Sequence, residues 1–415
     1  MEMRKDMQDL TRKKKDEGAL AGILVAVVVG LYLTNVVSGI GRYIGLSSST
    51  ISMAAKVLIF ASIIRCATIF IYRFNFAMSL TTYILILVTA IQLVFFRENR
   101  QFLLGEGRGN AMDGTLGIFT VTILPAIYTI CVIWDFDILL KRLQNAAALM
   151  SAFTLMVLMI YGGEAFEHYS MGFGNAMILP TCLTMTKAAD ENQKPLMKRA
   201  TILLSVVDLF AEAMYGSRGA FVAVVGFTIY YFLWEQIRQR RIAAILETTG
   251  ILLLAATYKK LLKIVNDFAL KLGYYSRTLT SLASDKVSDS GRSNLYDPIK
   301  REIMDSPLKI RGINSDWESI GFYCHNWILE VLHAFGVLLG GIFCATIACM
   351  IGKVLWRGRT DSRSIVQICL TFAFFPVCLV SGSIWESTWF WTWFALYLLS
   401  NRSRSDASPQ SMRGV

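Results

Sequence analysis

Six stretches of the chain contain no Asp, Glu, Lys or Arg: 18–41, 74–96, 114–134, 143–163, 331–352 and 364–385. A bilayer-crossing helix needs roughly 20 mostly apolar residues, so each reads as a membrane span on length alone. Weaker apolar stretches fill the gaps. Together they predict twelve helices, near 19–36, 53–72, 75–96, 114–133, 144–163, 173–187, 200–215, 219–234, 243–262, 325–351, 364–381 and 386–400. The sixth, seventh, ninth and twelfth are short or are interrupted by an acid or by Pro180. The expected fold class is an all-α polytopic membrane protein of about 12 transmembrane helices, with one large periplasmic loop containing short helices.

Charge orients the pattern. With both termini inside, the segments 1–18, 73–75, 134–143, 187–199, 235–242, 352–363 and 401–415 hold 23 Lys and Arg, and the short outside segments hold 5. Basic residues concentrate in cytoplasmic loops, while long loops cross regardless of charge; the long outside segment 263–323 is therefore left out of the comparison. The chain divides into a basic cytoplasmic segment (1–18), nine helices (19–262), a large periplasmic loop (263–323), three helices (324–400) and a cytoplasmic tail (401–415). The first apolar run lacks a small-residue cleavage site and is too long for a signal core. No inverted repeat of the kind many secondary transporters carry is evident.

Within the loop, 257–272 is expected to form a basic amphipathic helix on the outer membrane face. Leu261, Ile264, Val265, Phe268 and Leu272 recur at helical spacing among Lys259, Lys260, Lys263 and Lys271. A polar stretch, 276–292, comes next. A second helix is expected to start near Asn294–Asp297, with Pro298 in its first turn, and to stop before Pro307. The stretch 308–323 reads as irregular.

Composition agrees with a membrane chain: 54% of its 415 residues are hydrophobic and 17% charged, against about 25% charged in soluble domains. A single-pass anchor, a coiled coil and a disordered chain are excluded. The net charge of +11 is explained by anchors beside anionic lipid, with no nucleic acid required. Of the eight Cys, none lies in 263–323, and no zinc-binding spacing is present.

Three polar strings stand on the expected outer side. Gly216-Ser217-Arg218-Gly219-Ala220 opens the eighth apolar stretch. Ser217 is a natural N-cap, and the positive end of the helix dipole would face out beside Arg218. Free N–H groups, a dipole and an arginine fork together suit a phosphate; the plainer alternative is an arginine snorkelling to the interface. Ser290-Gly291-Arg292 lies in the loop, followed by Lys300, Arg301, Lys309 and Arg311. A diphosphate suits several cations, bidentate arginines above all; the alternative is a solvated basic loop. His325-Asn326-Trp327-Ile328-Leu329-Glu330 enters the tenth helix. The three His of the chain, at 168, 325 and 333, all fall on the outer side. A histidine suits general-base work near neutral pH. Asn326 and Glu330 share a helix face. A carboxylate inside a span is a functional candidate, and the alternative is a bond that holds the bundle.

Weaker signals accompany these. Asp135-Phe136-Asp137 matches the DxD pattern of soluble glycosyltransferases that hold a metal-bound nucleotide sugar. It sits in a ten-residue inner loop, 134–143, without a nucleotide-binding domain, and reads as helix-end chemistry. Gly105-Glu106-Gly107-Arg108-Gly109 lacks the strand–helix setting of a phosphate loop. Trp385, Trp389 and Trp393 form an i, i+4, i+8 stripe, read either as an interfacial belt or, at Trp385 and Trp389, as glycan contacts. Asp208 and Glu212 share a helix face and are expected to neutralise Lys56 or Arg65.

In this order, GSRGA before an apolar span, SGR in the external loop and HNxxLExLxxxG from His325 to Gly336 resemble the O-antigen polymerase and O-antigen ligase superfamily of bacterial envelope enzymes. The resemblance covers mainly residues 175–351. It implies a polyprenyl-diphosphate-linked oligosaccharide donor at the outer face of the inner membrane, and transfer of its glycan to an acceptor hydroxyl without metal, nucleotide or other cofactor. Arg218 and Arg292 fall on the family's diphosphate-binding arginines, and His325 falls on the histidine at the acceptor. Ser217 and Arg311 join the diphosphate set, and Glu330 joins His325 as a catalytic candidate. The chain departs from the ligase pattern at 309–316, where a glycine-rich turn is reduced to Gly312. The HNxxLE form favours a polymerase that moves the growing glycan onto the non-reducing end of a new lipid-linked unit. A ligase that moves finished polymer to lipid A core is the alternative, and a lipid-linked oligosaccharide transporter is a rival of another class. A chain-length regulator and membrane lipid are the expected partners.

Overall fold

A computed structural model of the chain describes residues 2–37, 45, 47–106, 114–161, 171–238, 260, 262–268, 270–271, 275–283 and 292–400. Among the described residues every regular element is a helix. That follows from hydrocarbon as solvent, in which backbone polar groups bond within their own segment. Among the described residues seven helices are long and apolar enough to cross a membrane: Thr11–Val37, Ser48–Tyr72, Phe76–Phe95, Thr115–Val132, Phe136–Ile160, Trp327–Arg357 and Ser362–Val380. They answer to the six uncharged runs and to the 53–72 stretch. Met171–Ala188, Pro195–Tyr215, Arg218–Arg238 and Thr388–Ser400 are further helices where apolar stretches predicted them. Residues 243–259 of the ninth expected helix lie outside the described residues.

The centre of the bundle is built from helices 2–32, 136–161, 171–188, 218–238, 362–380 and 388–400. Leu20, Leu139, Met177, Phe227, Phe374 and Trp393 are fully buried there. Helices 48–72 and 76–95 differ, turning Ile64, Ile71, Tyr83 and Ile86 outward. Such surfaces are stable against lipid tails, which are as apolar as the side chains themselves.

At the expected inner end, Glu17 is buried and paired with Arg73 at 2.5 Å. Its second oxygen accepts the backbone N–H groups of Trp134 and Asp135 at 3.0 and 3.2 Å. The Arg73 guanidinium also lies 4.4 Å from the centre of the Trp134 ring. Asp135 caps helix 136–161 by accepting from the N–H of Ile138 at 3.0 Å, and Asp137 accepts the Ser362 hydroxyl. Both aspartates therefore perform helix-end chemistry, as expected. The turn is shorter than the ten-residue loop predicted, because the helix begins at Phe136 and carries Lys141 and Arg142 within it.

The segments expected on the outer side correct four expectations. Helix Arg292–Asp305 begins earlier than predicted, so Pro298 lies inside it rather than in its first turn. The carbonyl such a proline deprives belongs to the residue four back, here the exposed Asn294. Two short helices occupy stretches read as polar or irregular. Arg277–Ala283 starts where Ser276 Oγ accepts the Leu279 N–H at 3.1 Å, and Ser315–Ile320 carries Asp316 and Glu318 in its first turn. Finally, the helix expected to run unbroken through 325–351 changes course at Gly336, whose φ of 73° is left-handed. The segment 307–312 fits into that break. Arg311 and Gly312 both donate their N–H to the Ala334 carbonyl at 2.9 Å, and Val337 donates to the Pro307 carbonyl at 2.6 Å. Groups freed by the break are thereby bonded again, and Gly is the residue that adopts this φ without strain.

Candidate functional site

The turn between helices 195–215 and 218–238 consists of Gly216 and Ser217. Ser217 Oγ accepts the N–H of Ala220 at 3.2 Å, the N-cap that its position predicts. Helix 171–188 reaches this turn through Gly174, where a Cβ would stand 2.7 Å from the Ser217 nitrogen. Residues 276–281 close over the turn. Ser276 donates to the Ala213 carbonyl at 3.1 Å, Thr278 donates to the Gly216 carbonyl, and Arg218 donates to Ser281 Oγ at 3.0 Å. Arg218 is half-buried under this cover.

One residue along, a Cβ on Gly219 would meet Val380 at 2.4 Å. Val380 ends helix 362–380, and the next residue, Ser381, holds His325. The imidazole Nδ1 lies 3.3 Å from the Ser381 carbonyl oxygen. A carbonyl only accepts, so Nδ1 carries the proton and Nε2 is the accepting nitrogen. The ring also packs on Tyr323, with centroids 4.3 Å apart. His325 itself is left-handed, at φ 57°, a conformation costing a non-glycine residue about 1 kcal/mol or more. Helix 292–305 reaches the same place. Its Tyr296 hydroxyl lies 3.5 Å from the His325 carbonyl, and Arg292 stands one helical turn before Tyr296. Burial, and after it the charge of Arg292, lower the His325 pKa from its ordinary value, while the Ser381 bond opposes them. The imidazole is then neutral at physiological pH.

The Arg218 turn and helix 292–305 are thus each linked to His325, the first through Val380 and Ser381 and the second through Tyr296. Ser290 and Gly291, which precede Arg292, lie outside the described residues, as does His168.

Glu330 is buried and faces the turn that carries Ser381. It accepts the Ser383 hydroxyl and the Ile384 N–H, the latter at 2.9 Å. Asn326 caps helix 327–357, with its side chain accepting from Ile328 and Leu329 at 3.0 and 3.2 Å. Behind His325, buried Asp316 accepts the N–H of Cys324 at 2.8 Å. Burial pushes its carboxyl up to about 7 against that bond.

Arg311 sits elsewhere. It pairs with Glu302 at 3.7 Å and belongs to a second cluster, in which His333 bonds Ser315 Oγ at 2.8 Å and Glu302 at 2.9 Å. Partial burial works to raise the Glu302 carboxyl; His333, Ser319 and Arg311 more than offset it and leave it below its ordinary value. Trp385 precedes helix 388–400 rather than lying on it. It is buried between Phe335 and Phe343, and Trp389 is half-buried.

Asp208 and Glu212 are fully buried. The expectation that they neutralise Lys56 or Arg65 fails. Arg65 is exposed, Asp208 instead accepts from Ser151 Oγ at 2.6 Å, and neither oxygen of Glu212 has a hydrogen-bond partner.

Sequence reasoning missed Ser381, Tyr323, Tyr296 and Asp316. The one available signal was the polar string Ser381-Gly382-Ser383 closing an apolar run. No group of three or more His, Cys, Asp or Glu among the described residues is arranged to hold a metal ion. Comparison with family models, curated proteins and solved structures gives no match.

Proposed function

We propose that the chain is a metal-independent glycosyltransferase of the bacterial inner membrane, a polymerase of repeat-unit polysaccharide such as O-antigen. In this reading twelve helices span the membrane, both termini are cytoplasmic and 263–323 is the periplasmic loop. The observation that supports it best is the approach of the Arg218 turn, through Gly219 and Val380, and of helix 292–305, through Tyr296, to His325, with the imidazole neutral and Nε2 accepting. The acceptor hydroxyl of a lipid-linked unit attacks the anomeric carbon of the growing glycan, and Nε2 takes its proton. A glycosidic bond forms as the bond to the carrier's diphosphate breaks, and the charge on the leaving diphosphate falls to the two arginines, with Ser217 and the helix N-terminus beside them. Glu330 acts as a positioning residue, through the turn that holds Ser381. A cavity of about 540 Å³ lined by Ile84, Val88, Phe119, Trp385, Trp391 and Leu398 suits the prenyl tail. Trp385, buried between Phe335 and Phe343, offers a sugar no open stacking face. Arg311 supports the outer cluster.

The test is a surface-glycan gel from a host lacking the gene, complemented by wild type, Arg218→Ala, Arg218→Lys or His325→Ala. We expect core carrying one unit and no ladder in the deletion, with rescue by wild type alone. Arg218→Lys fails because an ammonium does not reproduce a bidentate fork. Bare core with long polymer on its carrier would assign the ligase instead. An unchanged ladder would remove both readings in favour of transport. Activity persists in chelator; loss in EDTA that divalent metal restores would return the DxD pair to consideration.

A further inference from the structure

Beneath the Gly216–Ser217 turn lie buried polar oxygens that have no hydrogen-bond partner. Helices 171–188 and 195–215 pack closely, with Gly174 against Gly216 at one end. Toward the other end, Thr184 is joined through Ser151 to Asp208, by bonds of 3.2 and 2.6 Å. The helices therefore run antiparallel, and residues 176–181 lie beside Glu212. Asp208 and Glu212 are i, i+4 and share a face; so do Met177, Thr181 and Thr184, and Met177 and Thr184 both touch helix 136–161. The junction of these three helices contains Asp208 Oδ1, both oxygens of Glu212 and Thr181 Oγ1, all buried and all without a hydrogen-bond partner. Pro180 adds an acceptor, since a helical proline leaves the carbonyl four residues back, at Ala176, without its N–H.

A buried pair of carboxyl groups with no cation beside it is not stable as two anions. The other titratable groups facing the junction are the Tyr32 hydroxyl, bonded to Thr154, and the thiols of Cys182 and Cys369. None of these is positive. Arg218 lies beyond the turn and reaches outward to Ser281.

We propose that Asp208 and Glu212, with Thr181 and the Ala176 carbonyl, form an intramembrane site for one monovalent cation, a proton or a sodium ion. A pair of carboxyls, a hydroxyl oxygen and a carbonyl freed by proline are the oxygen ligands a hard monovalent cation requires. The site lies directly beneath the Gly216–Ser217 turn: a Cβ on Gly216 would stand 2.1 Å from Glu212 Oε2. Occupancy thus bears on the turn that positions Arg218. The proposal does not rest on the glycosyltransferase reading.

The test uses the full chain in detergent and compares the melting temperature of wild type and Glu212→Gln over about pH 6 to 9, in choline chloride, potassium chloride and sodium chloride. Glutamine needs no cation, so we expect wild type to show a dependence that the variant lacks. A melting temperature that falls with rising pH in wild type, more steeply than in the variant and equally in all three salts, assigns a proton. A rise of several degrees in sodium but not potassium, confined to wild type, assigns sodium. Asp316 contributes equally to both proteins and cancels in the comparison. A hydrophobic carbodiimide locates the site, with an adduct at Glu212 when a proton is bound and protection of Glu212 by sodium when sodium binds. Profiles that coincide in wild type and variant under all conditions would overturn the proposal, whatever the glycan gel shows.

Discussion

The ends of the bundle expected to be inner and outer each hide a glutamate, and the two are satisfied in different ways. Glu17, 2% exposed, meets a guanidinium and two backbone N–H groups. Glu330, 3% exposed, meets a hydroxyl and one N–H from a turn. The first ties the opening helix to Arg73, at the end of helix 48–72, by an ion pair and to the turn before helix 136–161 by two backbone bonds. The second is a carboxyl that shapes the turn on which His325 rests. Glu212, fully buried beneath the Gly216–Ser217 turn, has no hydrogen-bond partner. Burial alone therefore says little about a membrane carboxyl. Its partners separate architecture from positioning, and positioning from a site that takes a cation.

The largest effect is expected at the inner end. Arg73→Ala leaves Glu17 buried and unpaired, and removing one partner of a buried pair costs about 3–5 kcal/mol. We expect a large drop in melting temperature in detergent and poor accumulation in the membrane. The double change Glu17→Leu with Arg73→Met removes both charges and should recover much of the loss. Equal losses in the single and double variants would mean that the pair does not act as a unit. At the outer end Glu330→Ala loses two bonds and should cost about 1–3 kcal/mol, with a larger effect on product than on stability because Ser381 moves with the turn. Glu330→Gln keeps an acceptor and should retain part of the ladder. Full activity in Glu330→Ala would remove the positioning role.

How much of this was legible depends on the range of the interaction. The apolar runs, the Ser217 cap and the Asp135 helix end are local, and local chemistry shows in sequence. The three strings GSRGA, SGR and HNxxLE were legible as strings, yet the contacts that bring them together, Gly219 on Val380 and His325 on Ser381, connect positions with no shared period. The break at Gly336 was hidden for the same reason. The glycine stands inside an apolar stretch, and only the docking of 307–312 makes its left-handed conformation favourable. Trp385, Trp389 and Trp393 keep helical spacing on paper, but the helix starts after Trp385. Arg73 enters the sequence reading only as a topological charge, which records the side of the membrane and not its partner, Glu17.

The smallest expected effect is the most specific to the outer end. Burial holds His325 below its ordinary pKa, so the folded state binds fewer protons than the unfolded chain does near that value. Stability from this residue is present above the unfolded pKa and declines as pH falls from about 6.5 toward the lower folded value. The decline is modest, because the ring is only half-buried. Activity follows the same proton. Nε2 accepts while the ring is neutral, so transfer measured with purified protein and lipid-linked donor should be flat from about pH 8 to 7 and should fall with an apparent pKa under 6.5. Arg292→Gln removes the positive charge that helps hold the ring neutral, and its residual activity should fall off at a higher pH than that of wild type. Glu17→Gln, at the other end of the bundle, should leave the midpoint where it was. A midpoint that moves with Glu17 and not with Arg292 would place the titrating group at the inner end and detach His325 from the reaction.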